Sequence, residues 1–293
     1  YNRIIDKTSD AINRYIATIL KKKHLKLQIK ENLSVFFDGH KIASIYKGDN
    51  IFKPKLIISN SQFITKENYT LLKEKIENDL DYTIREAFKE QTINIKTSNQ
   101  SLKAIIFSLQ ENLGVIKIST VEHFFKSLKP VDLTVLKKNN IKISKHFIYY
   151  NPSIFNEKSK TIRWILVNLF MKKIDSKILP NEKIFLNKKK INSLALNALG
   201  LIKLKNFVIK ISFLEYIFDL FLSDKKEIFY FNFYHVRKLK IPFAALYEIL
   251  QYYEFKKIAG TNFLTYWKKI EEPFYIKKQY DKNNPFYILK KLQ

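Results

Sequence analysis

Apolar residues at helical spacing open the chain. Ile4, Ile5, Ala11, Ile12, Tyr15, Ile16, Ile19 and Leu20 predict an amphipathic helix over residues 3–20. Lys21–Lys23 end it, where cations suit the negative end of the helix dipole. The period then drops to two. Residues 25–29 alternate, Val35-Phe36-Phe37 runs into Asp38-Gly39, and Ile42–Tyr46 follows. This predicts a tight hairpin, because glycine accepts the positive φ of the turn. Gly48-Asp49 marks a second turn, and Pro54 puts Leu56-Ile57-Ile58 in an edge or final strand. The stripe Tyr69, Leu72, Ile76, Leu80, Ile84, Ala87 and Phe88 predicts a helix over 66–90, capped by Thr65.

Past the polar stretch 91–100, helices are predicted at about 101–113, 119–128 and 131–139, punctuated by Gly114 and Pro130. Residues 141–150 read as one strand, closed by Asn151-Pro152. Residues 156–173 read as a basic helix with Ile162, Ile165, Leu166, Leu169 and Phe170 on its apolar side. Lys158, Lys160, Arg163, Lys172 and Lys173 then lie outside that face or at the ends. A Lys- and Asn-rich linker covers 174–192. Short strands at 201–205 and 207–211 lead to a helix at 213–222, capped by Ser212. A strand over 228–236 sets Phe229, Phe231, Phe233 and His235 on one face and Tyr230 and Tyr234 on the other. Pro242 opens a helix at 243–254, and a hairpin pairs 255–258 with 262–267. A helix followed by a hairpin is the second half of a winged helix. No internal repeat and no low-complexity run is visible. The expected fold is α+β: several small modules of helices packed on short antiparallel sheets, the C-terminal part winged-helix-like. The expected modules are 1–98, 99–180 and 181–293.

Charge changes the picture next. Lys and Arg total 53 against 27 Asp and Glu, a net +26 on 293 residues. Only Arg3, Arg14, Arg85, Arg163 and Arg237 are arginine, a lysine bias that a low-GC genome writes into any protein. The shortage of acid is the informative part, because such a charge repels itself unless a polyanion is near. With 46% hydrophobic residues the chain is no disordered basic tail. The acidic helix at 66–90 is a poor phosphate surface, and the basic excess concentrates after residue 137.

Several chemistries drop out. Without cysteine there is no disulfide, thiolate nucleophile or Cys-ligated metal. No apolar run reaches the ~18–20 residues that span a bilayer, and charges interrupt the N-terminus where a leader would lie. The expected compartment is cytoplasmic. The start at Tyr1 reads as a cut from a longer protein. The five glycines are isolated, so no phosphate-binding loop is present. His24, His40, His123, His146 and His235 never fall at metal-binding spacing, and no metal site is expected. Glu254-Phe255-Lys256 could hold Mg²⁺ beside Asp219 or Asp224, a nuclease-like fragment that also arises by composition. Aromatic residues among cations are the remaining signal. Tyr230, Tyr234, Arg237, Lys238, Trp267 and Lys268, with Lys158, Lys160 and Arg163 on the basic helix, are the candidate nucleic-acid contacts.

Four stretches in order carry a family resemblance. They are Phe37–Ala43; Leu133–Pro152 with the Arg163-Trp164-Ile165-Leu166 helix; Leu199–Glu215; and Leu264–Lys268 with Asn284–Leu289. Together they resemble the C-terminal region of alphaproteobacterial superfamily 2 helicases related to the mitochondrial degradosome RNA helicase. Ser144 departs from the family's usual glycine, and no helicase motor motif is present. The resemblance implies a helicase driven by ATP and Mg²⁺, with those residues upstream of Tyr1 and no cofactor in this segment. This segment would be an accessory nucleic-acid-binding region. Its implied partners are single-stranded RNA or DNA and the helicase core of the same polypeptide, with no membrane. The alternatives are a stand-alone winged-helix DNA-binding protein, such as a replication initiator, or a Mg²⁺-dependent nuclease.

Overall fold

The computed structural model describes residues 2–92, 95, 97–171, 182–187, 191–221, 228–260 and 264–269. By contacts the chain divides into two units, Tyr1–Ser223 and Asp224–Gln293. The fold is α+β. Among the described residues it has ten α-helices, one four-stranded antiparallel sheet and three three-stranded ones.

Unit 1 opens with α1 (Asn2–Lys21), then the meander β1 (Gln28–Ile29), β2 (Ser34–Phe37), β3 (His40–Asn50) and β4 (Lys53–Ile58), then α2 (Lys66–Ala87). Asp38 and Gly39 both have positive φ, which gives the tight β2–β3 turn its right-handed twist. Gly48 lies inside β3 and not in a turn; the chain reverses at 51–52. A Cβ at Gly48 would sit 1.8 Å from the Lys53 carbonyl oxygen, so the close approach of β4 demands the glycine. Thr65 caps α2 by accepting the Asn68 N–H.

Then come α3 (Gln100–Glu111), β5 (Val115–Lys117), α4 (Glu122–Lys126), α5 (Pro130–Lys138), β6 (Ile141–Ile143) and β7 (Phe147–Tyr150). Residues 141–150 are thus a hairpin, not one strand. Ser144 turns it: its hydroxyl donates to the Phe147 carbonyl and accepts the Phe147 N–H, both at 3.0 Å. This module has its own core, in which Leu102, Ile105 and Leu109 of α3 meet Ile116, Leu136 and Ile148. Next follow α6 (Glu157–Phe170), β8 (Ile184–Leu186), α7 (Ser193–Asn197), β9 (Leu201–Lys203), β10 (Phe207–Lys210) and α8 (Ile211–Phe221). β8 falls within the stretch expected as a linker. α6 packs back on the first sheet and α2, so Ile19, Val35, Ile76, Trp164 and Val167 share one core.

Unit 2 holds β11 (Ile228–Asn232), α9 (Phe233–Leu239), α10 (Phe243–Tyr252), β12 (Phe255–Gly260) and β13 (Leu264–Lys269). The strand expected at 228–236 stops at Asn232. There Asn232 and His235 form a reciprocal cap: the Asn232 Oδ1 accepts the His235 N–H, and the His235 Nδ1 accepts the Asn232 N–H, each at 3.3 Å. Tyr234, Arg237 and Lys238 are therefore helical residues.

One connectivity recurs three times, which overturns the expectation of no internal repeat. A strand is followed by one or two described helices and a hairpin, and the hairpin's second strand lies between the other two. The sheet orders are β5-β7-β6, β8-β10-β9 and β11-β13-β12, all antiparallel. This is the winged-helix connectivity, with the hairpin as the wing. The helix–hairpin junction recurs in detail. Asn140, Gly200 and Glu254 each adopt a left-handed φ (59°, 69° and 65°) just before the hairpin. Each donates its N–H to the carbonyl three residues back: Lys137, Asn197 and Gln251. In the first two repeats the carbonyl of that residue also accepts an N–H eleven positions on, Asn151 to Asn140 and Ile211 to Gly200. The positions after it match in burial: Ile141 with Leu201, Phe147 with Phe207, Ile148 with Val208.

Candidate nucleic-acid interface

The recurring hairpins decide where cations stand. A hairpin whose inward positions are apolar leaves its other positions to solvent. Lys142 and Lys145 on the first wing, Lys203 and Lys205 on the second, and Lys256 and Lys257 on the third are all exposed. Lys145 and Lys205 sit at the same position of their wings, five residues after the left-handed Asn140 and Gly200. These wing lysines were not among the sequence-based candidates. The signal that could have found them is the recurring lysine five residues after the helix-ending Asn or Gly.

The helix before each wing is the reading helix of a winged module bound to duplex DNA. Here it is poorly equipped for base edges. α7 and α10 carry no Lys or Arg, and half of α10 is buried. Only α5 has cations, Lys137 and Lys138 in its last turn. Major-groove reading relies on such donors, so the surface suits phosphate contact better than base discrimination.

The structure separates the sequence-based candidates. Lys158 is exposed near the start of α6, and Lys160 is partly buried and paired with Glu157 at 2.6 Å. Arg163 is wholly buried and contacts no solvent. Its Nε donates to the Ala87 carbonyl at 2.6 Å, one amino group to the Ala198 carbonyl at 3.3 Å, and the other to the Glu90 carboxylate. Its guanidinium lies 3.9 Å from the Phe155 ring centre and 4.9 Å from that of Phe88. Burial pushes its pKa down to about 10, against the opposing pull of Glu90. Arg163 therefore ties α6 to the end of α2 and to α7. It cannot touch a nucleic acid.

In unit 2, Tyr230 and Tyr234 are exposed and flank His235, with ring centres 6.1 and 5.9 Å away. Arg237 and Lys238 are exposed on α9. This aromatic and cationic cluster is the one the sequence pointed to, but it stands on a strand end and a helix, not on one strand. Trp267 is a correction. It is 2% exposed, packs 5.1 Å from Tyr247, and donates its indole N–H to the Thr265 hydroxyl at 2.9 Å. It is core and offers no ring to a base. Lys268 lies on β13 opposite Ile228 and Lys256. Lys172, Lys173, Asp224 and the stretch 284–289 lie outside the described residues. Among the described residues no group of three His, Asp or Glu is placed to hold a metal, and no helix is long and apolar enough to cross a membrane.

The His235 cap makes a pH prediction. Burial, then the charge of Lys238, hold its pKa below the ordinary 6.5. A lowered histidine pKa means that the unfolded chain takes the proton first. Its contribution is complete above the ordinary value and is lost as pH falls through the folded one. Protonation also removes the Nδ1 acceptor for Asn232. An NMR titration of the histidine ring should read a pKa under 6.5, and helix α9 should fray on acidification from pH 7 to about 5. A midpoint at or above 6.5 would refute it.

Compared with protein-family models, with characterised proteins and with solved structures, the chain matches none.

Proposed function

We propose that this chain is an accessory nucleic-acid-binding region that holds a single strand of RNA or DNA by its phosphates on successive winged-helix wings. The observation that carries this reading is the recurrence of the winged-helix connectivity, with an exposed lysine at the same place in the first two wings, in a chain of net charge +26. The resemblance noted above supports placing it beside the core of a superfamily 2 helicase in the same polypeptide, working in the cytoplasm. ATP and Mg²⁺ belong to that core in this reading, and this region contributes no catalytic residue. Its work is to keep a strand from rebinding or sliding back while the motor moves. Exposed Tyr230 and Tyr234 add stacking beside Arg237 and Lys238.

Tandem winged modules also fit a duplex-binding replication initiator. The cation-free α7 and α10 favour the strand-holding reading over that one.

Fluorescence anisotropy with a labelled single-stranded oligonucleotide tests the proposal. Each phosphate contact on a single strand contributes about 0.7 to the slope of log affinity against log salt. Affinity should fall steeply between about 50 and 200 mM salt, and Lys145→Ala with Lys205→Ala should flatten the slope by about 1.4. Affinity that ignores salt, or a slope unmoved by the double variant, would overturn it. One preferred duplex site, bound far above random duplex, would hand the case to the initiator.

A further inference from the structure

A cavity of about 330 Å³ lies within unit 1, where the first wing meets the start of α6. Lys142 of β6, Lys160 of α6 and Lys210 at the end of β10 converge on it from three elements. Glu157 is the one carboxylate in its wall, and it is mostly exposed and held by Lys160 at 2.6 Å. The cavity is therefore electropositive. Pro152 and Leu199, both partly exposed, add apolar surface to the lining, beside the buried Trp164 and Leu201.

Three ammonium groups around one partly open space repel each other, and the arrangement is favourable when an anion sits among them. Burial first, then the charges of Lys160 and Lys183, lower the pKa of Lys210, against Glu157. Lysine binds phosphate as a compact point charge. The hydroxyls of Ser153, Thr161 and Ser212 also line the space and can donate to phosphate or ribose oxygens. The volume is at the lower end for small-molecule sites, more than a bare phosphate needs. The apolar surface would be wasted on inorganic phosphate but suits a flat heterocycle. Positive charge and apolar surface in one lining define a ligand with both features.

We propose that this cavity binds a nucleoside monophosphate, as a free nucleotide or as the phosphorylated end of a strand. The phosphate lies among Lys142, Lys160 and Lys210, and the base lies along the partly exposed Pro152 and Leu199. The site does not need the wings to bind nucleic acid, and it stands or falls separately from them.

Calorimetric titration of the whole chain with adenosine 5′-monophosphate, adenosine and inorganic phosphate tests it. The nucleotide should bind, and adenosine, which lacks the charged contacts, and phosphate, which lacks the apolar ones, should each bind at least about tenfold more weakly. Lys210→Met should weaken nucleotide binding about tenfold or more, and Lys142→Ala, at an exposed strand position, should weaken it without touching the fold. A thermal melt establishes that each variant is folded. No heat with the nucleotide at millimolar concentration, or two folded variants that bind like the parent, would overturn the proposal. Oligonucleotides with and without a 5′-phosphate separate the two sources. Tighter binding of the phosphorylated strand identifies a strand end as the occupant, and equal binding identifies the free nucleotide. Oligonucleotide binding without nucleotide binding sinks the cavity and leaves the strand-holding reading intact; the reverse sinks that reading and leaves the cavity.

Discussion

Arg163→Ala should destabilise the protein by about 3–5 kcal/mol, the cost of breaking a buried charge pair from one side. The guanidinium is wholly buried and serves three acceptors: Ala87 and Glu90 at the end of α2, and Ala198 after α7. Alanine leaves the largely buried Glu90 carboxylate without its cation and two carbonyls without this donor. It also opens a gap between the Phe155 and Phe88 rings. Arg163→Lys keeps the charge but not the planar fork, so it should recover only part of the loss. Arg163→Met with Glu90→Gln removes both charges together and should cost less than Arg163→Ala, because no uncompensated charge remains. Urea unfolding of the four proteins measures this. A loss below about 1 kcal/mol for Arg163→Ala would show that the network contributes little more than a surface pair.

Gly200→Ala is the second large effect, expected at about 2–4 kcal/mol from two independent causes. The residue has φ +69°, which costs an L side chain about 1–2 kcal/mol. The new Cβ would also stand 2.2 Å from Cγ and 2.9 Å from Cβ of Pro152, a rigid ring, and relieving such overpacking costs about 1–3 kcal/mol. The equivalent residue of the preceding repeat is the natural control. Asn140 has φ 59° but is exposed. Asn140→Gly should therefore change stability by no more than about 0.5 kcal/mol, because asparagine and glycine both tolerate that conformation. Thermal melts of both variants test the pair. If Gly200→Ala melts like the parent, the Pro152 contact gives way without cost. Since Pro152 and Gly200 both line the cavity, the same variant should also weaken adenosine 5′-monophosphate binding.

Much of the local structure was legible. The apolar stripe from Tyr69 to Phe88 became α2 with its Thr65 cap, and Asp38-Gly39 became the β2–β3 turn. The winged C-terminal pattern is visible as helix and hairpin, although β11 ends at Asn232, four residues before the aromatic run predicts. Aromatic residues favour strands, and that bias outran the capping signal Asn232-x-x-His235, which starts a helix at Phe233. Arg163 was misplaced for a different reason. A helix that is polar on one side puts its cations there, but α6 is buried all round from Ile162 to Leu169. The repeat is not legible in the sequence because its shared feature is a backbone angle. Asn140, Gly200 and Glu254 do the same work with three different side chains.

The chain's own residues determined its elements, its α+β character and its excess of positive charge. Periodicity, caps and turn chemistry act over a few positions and can be read along a line. Tertiary structure alone decided which cations face water, which one is sealed in the core, and which three surround a cavity. Arg163 meets Ala87 across 76 positions, and Lys142, Lys160 and Lys210 converge from separate elements. Burial and crowding of charge depend on what packs against a side chain, and distant segments supply that packing only after the chain has folded.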